Sequence, residues 1–146
     1  MRSLVRVPVL GAVVLTLVSV SACSYTPDSV ENRTRLPSCG EYETRNEPLS
    51  PDQLRKNRCI LDALDQGRQA ELIRTWYGEE GGPITEYLRV LGADRVEIFV
   101  DATRDTKEAG PEARWSRWLC QGLDETPHGT VEGAGCREIP LEDAVS

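Results

Sequence analysis

Three acids in the middle of the chain, Glu86, Glu97 and Asp101, are spaced so that folding could bring two of them together. A carboxylate pair in which one group stays protonated is the machinery of glycoside hydrolysis. Strand alternation puts Glu86 opposite Val100 on an otherwise apolar side, so it is expected at the sheet margin. The run Asp101-Ala102-Thr103-Arg104-Asp105 places two carboxylates and a hydroxyl within five residues. Such oxygens ligate Ca²⁺, but a guanidinium at Arg104 neutralises the acids directly. The expected structure is a turn closed by Asx- or Thr-type bonds and an internal ion pair. Nucleophilic catalysis has poorer material. The single histidine, His128, lies in a Pro-His-Gly run, and Ser116 stands outside any G-x-S-x-G elbow. Trp115 and Trp118 alternate with Arg114 and Arg117, a composition able to stack sugars or bases. Three apart on a strand, the two rings face opposite ways, giving one core ring and one amphipathic cover. No cofactor and no metal is implied.

The five cysteines divide by position. Cys23 follows Val20-Ser21-Ala22, at the end of an apolar run from Val7 to Val20 that Arg2 and Arg6 precede. A basic start, an apolar stretch and small residues before a break are the layout of a secretory signal. The run is 14 residues long, short of the ~20 that a spanning helix needs. The small-small-Cys ending is similar to a bacterial lipobox, whose cysteine takes a diacylglyceryl group and becomes the first mature residue. Two acyl chains make a stable anchor where one is marginal. The expected location is therefore the extracytoplasmic face of the cell membrane, held through lipidated Cys23. Cys39, Cys59, Cys120 and Cys136 remain, an even number in an oxidising compartment. Three pairings are possible. Cys39 with Cys59 and Cys120 with Cys136 close the shortest loops and are the expected ones, each worth on the order of 3 kcal/mol. The spacings are far from C-x-x-C, which argues against a zinc site.

Removing residues 1–22 leaves 15 basic against 24 acidic residues, a net charge of −9. That balance is a poor match for nucleic acid and leaves the acyl chains as the grip on anionic lipid. About 124 mature residues give one domain with a modest core. Residues 23–38 are polar, carry Pro27 and Pro37, and show no period, so they read as a flexible tether. Residues 39–138 form the globular domain and 139–146 a tail.

Ser50-Pro51-Asp52-Gln53 reads as a capping box with proline in the first turn. Leu54, Ile60, Leu61 and Leu64 then mark the buried face of a helix that Gly67 ends. Cys59 lies at the flank of that stripe, where a bridge from Cys39 would strap the incoming chain. Residues 70–77, 84–91, 95–101 and 113–121 read as strands. Pairing Leu91 with Arg95 sets Val90 by Val96 and Leu88 by Ile98 on the core side. It sets Arg89 by Glu97 and Tyr87 by Phe99 on the other. A one-residue slip would bring Val90 against Glu97. From Gly122 onward the chain reads as coil tied back by Cys136. The expected fold is α+β, one N-terminal helix on a four-stranded antiparallel meander with two disulfides.

Gly81, Pro83 and Ile84, then Asp101, Thr103, Arg104 and Asp105, then Cys120, follow the order of a recurring pattern. It resembles that of a family of small Gram-positive lipoproteins built on a domain of unknown function. The likeness spans about 40 of the 146 residues, with a weaker echo through 51–66. Gly82 stands where that family has Asp. The resemblance implies a shared fold and no particular reaction. The expected role is a binding or interaction module with an unknown envelope protein or ligand. The alternatives are a small envelope enzyme using carboxylates near Asp101, or an accessory or inhibitor subunit.

Overall fold

The computed structural model describes residues 26–45, 48–77, 81–105 and 114–141. The leader, Cys23, the turn at 78–80 and the strand start at 113 lie outside the described residues. The order of elements is α1 (Asp28–Glu31), β1 (Ser38–Thr44), α2 (Pro51–Asp65), β2 (Ala70–Tyr77), β3 (Pro83–Gly92), β4 (Arg95–Asp101), β5 (Trp115–Cys120), β6 (Gly122–Glu125), β7 (Val131–Ala134) and β8 (Arg137–Ile139). One sheet has six strands in the order β1-β2-β3-β4-β5-β8, and β6 pairs with β7 in a second, small sheet.

The α2 helix begins as its sequence dictates. The Gln53 N–H donates to Ser50 Oγ at 3.3 Å, and the Ser50 N–H donates to Gln53 Oε1 at 2.8 Å. At the other end Gly67 takes φ +60. Its N–H donates to the Leu64 carbonyl and the Arg68 N–H to the Ala63 carbonyl, which is a Schellman cap. In the first turn, Lys56 and Arg55 reach Asp52 at 2.7 and 2.8 Å. The Lys56 bond holds the Asp52 carboxyl below its ordinary value despite some desolvation. A lowered carboxylate favours folding at neutral pH, and that contribution is lost as pH falls through the lowered value.

The four-stranded meander is thus corrected to a larger mixed sheet with two helices. The additional strands have separate causes. Because α2 carries the chain back across the sheet, β1 and β2 run parallel, as a β–α–β unit requires. Two carbonyls of edge strand β1 are taken by α2 side chains. Lys56 Nζ donates to Glu41 O at 2.9 Å and Gln53 Nε2 to Glu43 O at 2.7 Å. An edge so occupied is a poor template for another strand. The region after Gly122, expected as coil, supplies β6, β7 and β8.

Strands β3 and β4 hold the expected register, with Val90 by Val96, Arg89 by Glu97, Leu88 by Ile98, Tyr87 by Phe99 and Glu86 by Val100. At the turn Gly92, not Leu91, stands opposite Arg95, because the register shifts by one residue between Val90 and Gly92. A bulge there re-aims the chain without turning the apolar face outward.

Both disulfides join the expected partners, Cys39 to Cys59 and Cys120 to Cys136. The main core lies between one sheet face and α2 plus the β6–β7 hairpin. It contains Ile60, Ala63, Leu72, Leu88, Val90, Val96 and Ile98, with Leu123 and Val131 closing it from the hairpin. Leu61 and Leu64 pack at its margin. Leu54 departs from the expected stripe and is 40% exposed, sitting where a Cβ on Gly129 would strike it. Asn57, 1% exposed, takes the inward position instead. Tyr42 Oη donates to its Oδ1, and its Nδ2 donates to the Gly129 carbonyl, so the buried amide is satisfied.

The N-terminal segment is also corrected. Where residues 23–38 read as a free tether, α1 is docked and Val30 is 1% exposed. Val30 packs with Phe99 and Trp115, flanked by Tyr87 and Leu141, on the sheet face opposite α2. Leu141, in the expected tail, thereby belongs to the folded domain.

Candidate functional site

The face under α1 carries a run of charged side chains drawn from four strands. Period 2 aims Glu71 (β2), Arg89 (β3), Glu97 (β4) and Arg117 (β5) at this side; register sets Glu71, Arg89 and Glu97 opposite one another, with Arg117 a diagonal step away, opposite Phe99. Glu97 accepts from Arg89 on one oxygen and from Arg117 on the other, with Arg117 Nε at 2.8 Å. Arg89 Nε stands 3.1 Å from Glu71 Oε2. Arg33, from the segment after α1, closes the line on Glu71 at 2.9 and 3.2 Å. Three guanidiniums thus alternate with two carboxylates. The spare donors go to main-chain carbonyls, Arg89 to Thr34 at 2.7 Å and Arg33 to Val30 at 2.9 Å.

The aromatic rings of this face are wedged into the same line. The Arg89 and Arg117 guanidiniums stand 5.7 and 5.5 Å from the centre of the Phe99 ring, and Arg33 lies 4.6 Å over Tyr87. Tyr87 stacks on Trp115 at 6.0 Å. Burial pushes the Tyr87 hydroxyl above its ordinary value, more than the Arg33 charge pulls it down. The phenol therefore stays neutral, as its stacked position favours. Of the two tryptophans on β5, Trp115 is buried here and Trp118 packs on the main core from the other face. The Trp118 indole N–H donates to Ser116 Oγ at 3.1 Å.

The expected carboxylate pair does not assemble. Glu86 lies on the α2 side, paired with Arg74, which also donates to the Val131 carbonyl. A buried partner, not a marginal place, explains an acid on the core face. Glu97 and Asp101 share the opposite face but are a full four residues apart on β4, about 13 Å at strand spacing. Glu97 is held by two arginines. His128 is exposed in the β6–β7 connection, and Ser116, on β5, accepts from the Trp118 indole.

Asp101 to Asp105 forms the expected turn, closed by Asx- and Thr-type bonds as expected. Thr103 supplies the bonds: its N–H reaches Asp101 Oδ1 at 3.0 Å and its hydroxyl at 2.6 Å. The Asp105 N–H returns to the Ala102 carbonyl at 3.0 Å. Arg104 is exposed, and among the described residues no ion pair joins it to Asp101. Asp105 is wholly buried. No group of three or more His, Cys, Asp or Glu side chains is placed to hold a metal ion among the described residues.

The turn meets the start of β3. A Cβ on Gly81 would stand 2.7 Å from Asp105 Oδ1, and one on Gly82 would stand 1.9 Å from the Arg104 carbonyl oxygen. The two halves of the sequence pattern, Gly81-x-Pro83 and Asp101 to Asp105, are therefore in direct contact. Backbone approach this close admits only glycine at position 82. Gly82→Asp should destabilise the protein by about 1–3 kcal/mol through overpacking, read as a lower urea midpoint. A midpoint equal to that of the unaltered protein would mean the two turns do not pack in solution.

Sequence reasoning identified Arg89 opposite Glu97 but not the five-residue chain, since the contributions of Glu71, Arg117 and Arg33 come from separate elements. No protein-family model matches this chain, and no match to it is found among curated proteins or among solved structures. No helix among the described residues is long and apolar enough to cross a membrane.

Proposed function

We propose that this chain is an extracytoplasmic lipoprotein, anchored through Cys23, whose sheet domain is a binding or interaction module of the cell envelope. The observation that carries the reading is Val20-Ser21-Ala22-Cys23 closing a basic-then-apolar leader. Two disulfides in a domain this small support an oxidising compartment. The likeness to the small Gram-positive lipoproteins points the same way.

The distribution of charge supports binding over carboxylate chemistry. Glu86, Glu97 and Asp101 are each engaged with a structural partner and sit apart. Beyond the docked segment, the α1-side face carries further half-buried side chains. There Ile73, Thr75, Tyr77 and Thr85 are half-buried, Thr75 and Thr85 bond across the strands at 2.9 Å, and Arg45 stacks 4.1 Å over Tyr77. The set is mixed polar and aromatic, of the kind found where a protein meets a membrane interface.

In a bacterial host, Cys23→Ala should shift the protein from the detergent phase to the aqueous phase or leave an unprocessed precursor. Detergent partition and N-terminal mass read both outcomes. Unchanged partition with a normally processed N-terminus would remove the lipid anchor from the proposal.

A further inference from the structure

We infer that this domain rides directly on the bilayer, with the α1 side of its sheet toward the lipid and α2 toward the aqueous side; this rests on anchorage at Cys23. A polar N-terminal stretch would ordinarily lift a domain off the membrane by its whole length. Here the fold takes that length back. Val30 is sealed between Phe99 and Trp115, Arg33 is doubly bonded to Glu71, and Thr34 O accepts from Arg89. The Glu71 N–H donates to the Pro37 carbonyl at 2.8 Å, so the segment is fixed as far as the start of β1. Pro27 is already buried.

Three residue steps separate Cys23 from Thr26, the first described residue. At 3.8 Å between successive Cα atoms they reach at most about 11 Å in any conformation. The chain enters the domain in the α1 layer, while α2 packs on the opposite face of the sheet. Two layer spacings of about 10 Å put α2 roughly 20 Å further from the entry point. Covalent reach, not attraction, enforces the apposition, because Asp28 and Glu31 on α1 are exposed and acidic. The partner of this side is the lipid surface. The α2 side, with Arg55, Arg58 and Asp52 exposed, is the one turned to soluble partners.

The test is energy transfer from a fluorophore on the full-length lipidated protein to an acceptor lipid in phosphatidylglycerol/phosphatidylethanolamine vesicles. The fluorophore is attached through an azide-bearing side chain, at Asn32 in one protein and at Arg55 in the other. Transfer should be at least twofold stronger from position 32. Inserting a 20-residue Gly/Ser segment between Ser24 and Tyr25, about 25 Å in mean span, should weaken transfer from position 32 and erase the difference. Equal transfer from both positions, stronger transfer from position 55, or no effect of the insertion would overturn the inference. Failure to float with the vesicles would instead overturn anchorage itself, so the two readings fail separately.

Discussion

Glu97→Ala should destabilise the protein by about 3–5 kcal/mol, the cost of leaving buried charge without its counter-ion. Glu97 is 3% exposed and is, among the described residues, the only acid paired with both Arg89 and Arg117, which are themselves 4% and 8% exposed. Its loss leaves two guanidiniums beside the Phe99 ring, one of them still sharing Glu71. The expected result is a large drop in the urea midpoint with an unchanged slope. Arg117→Met should soften the effect, because it removes one of the stranded charges. The coupling between the two substitutions then measures their interaction. A loss below about 1 kcal/mol, the range of an exposed pair, would mean that water reaches this line of charges. The same physics says why the line is not there for stability alone. A buried ion chain replaced as a whole by apolar side chains is often neutral or better. What the alternation Arg33–Glu71–Arg89–Glu97–Arg117 does supply is a defined seat for the segment after α1, since only that segment brings the fifth charge.

Which parts of this structure could be read from the residues follows from how local their causes are. The α2 helix was legible at both ends because its cap residues bond within a few positions of one another. The β3–β4 register was legible because a slip would bury Glu97 on the apolar side. Strand β1 was not, since Ser38-Cys39-Gly40-Glu41-Tyr42-Glu43-Thr44 is an edge strand with a bulge at its start. Only Cys39 and Tyr42 of it are buried, three apart, so alternation is lost. The later strands β6 to β8 have three or four residues each, too few for a period to show. On the α1-side face, charge at every second position looks like a solvated surface. Its burial depends on a cover supplied from 38 and more residues away in sequence. That cover carries a single buried aliphatic residue, Val30, in a polar run. One residue has no periodicity, and two prolines point the reading toward a linker. In the turn, Asp101 next to Arg104 suggested an ion pair, whereas the shorter reach of Thr103 closes the ring first.

Val30 therefore gives the sharpest measure of whether the N-terminal segment belongs to the fold. Val30→Asp should raise the rate of tryptic cleavage after Arg33 and Arg35 roughly 30-fold while the rest of the domain stays folded. The valine side chain is 1% exposed against Phe99 and Trp115, and burying one is worth about 2 kcal/mol. An unpaired carboxylate in its place would cost more than that to bury, so the segment undocks and the whole difference appears in the open population. At 1.4 kcal/mol per tenfold, 2 kcal/mol is a change of about 30 in that population, and cleavage tracks it when reclosing is fast. The sheet loses only its cover at this point, because α2, both disulfides and the main core lie on the other face or at its margin. Cleavage after Arg55 and Arg58, which sit within α2, should accordingly stay slow. Val30→Ile, which keeps the apolar contact, should leave the cleavage rate near that of the unaltered protein. If the aspartate variant is cut after Arg33 no faster than the parent, the segment is as open in solution as a linker. The charge line on β2 to β5 would then have to stand without Arg33.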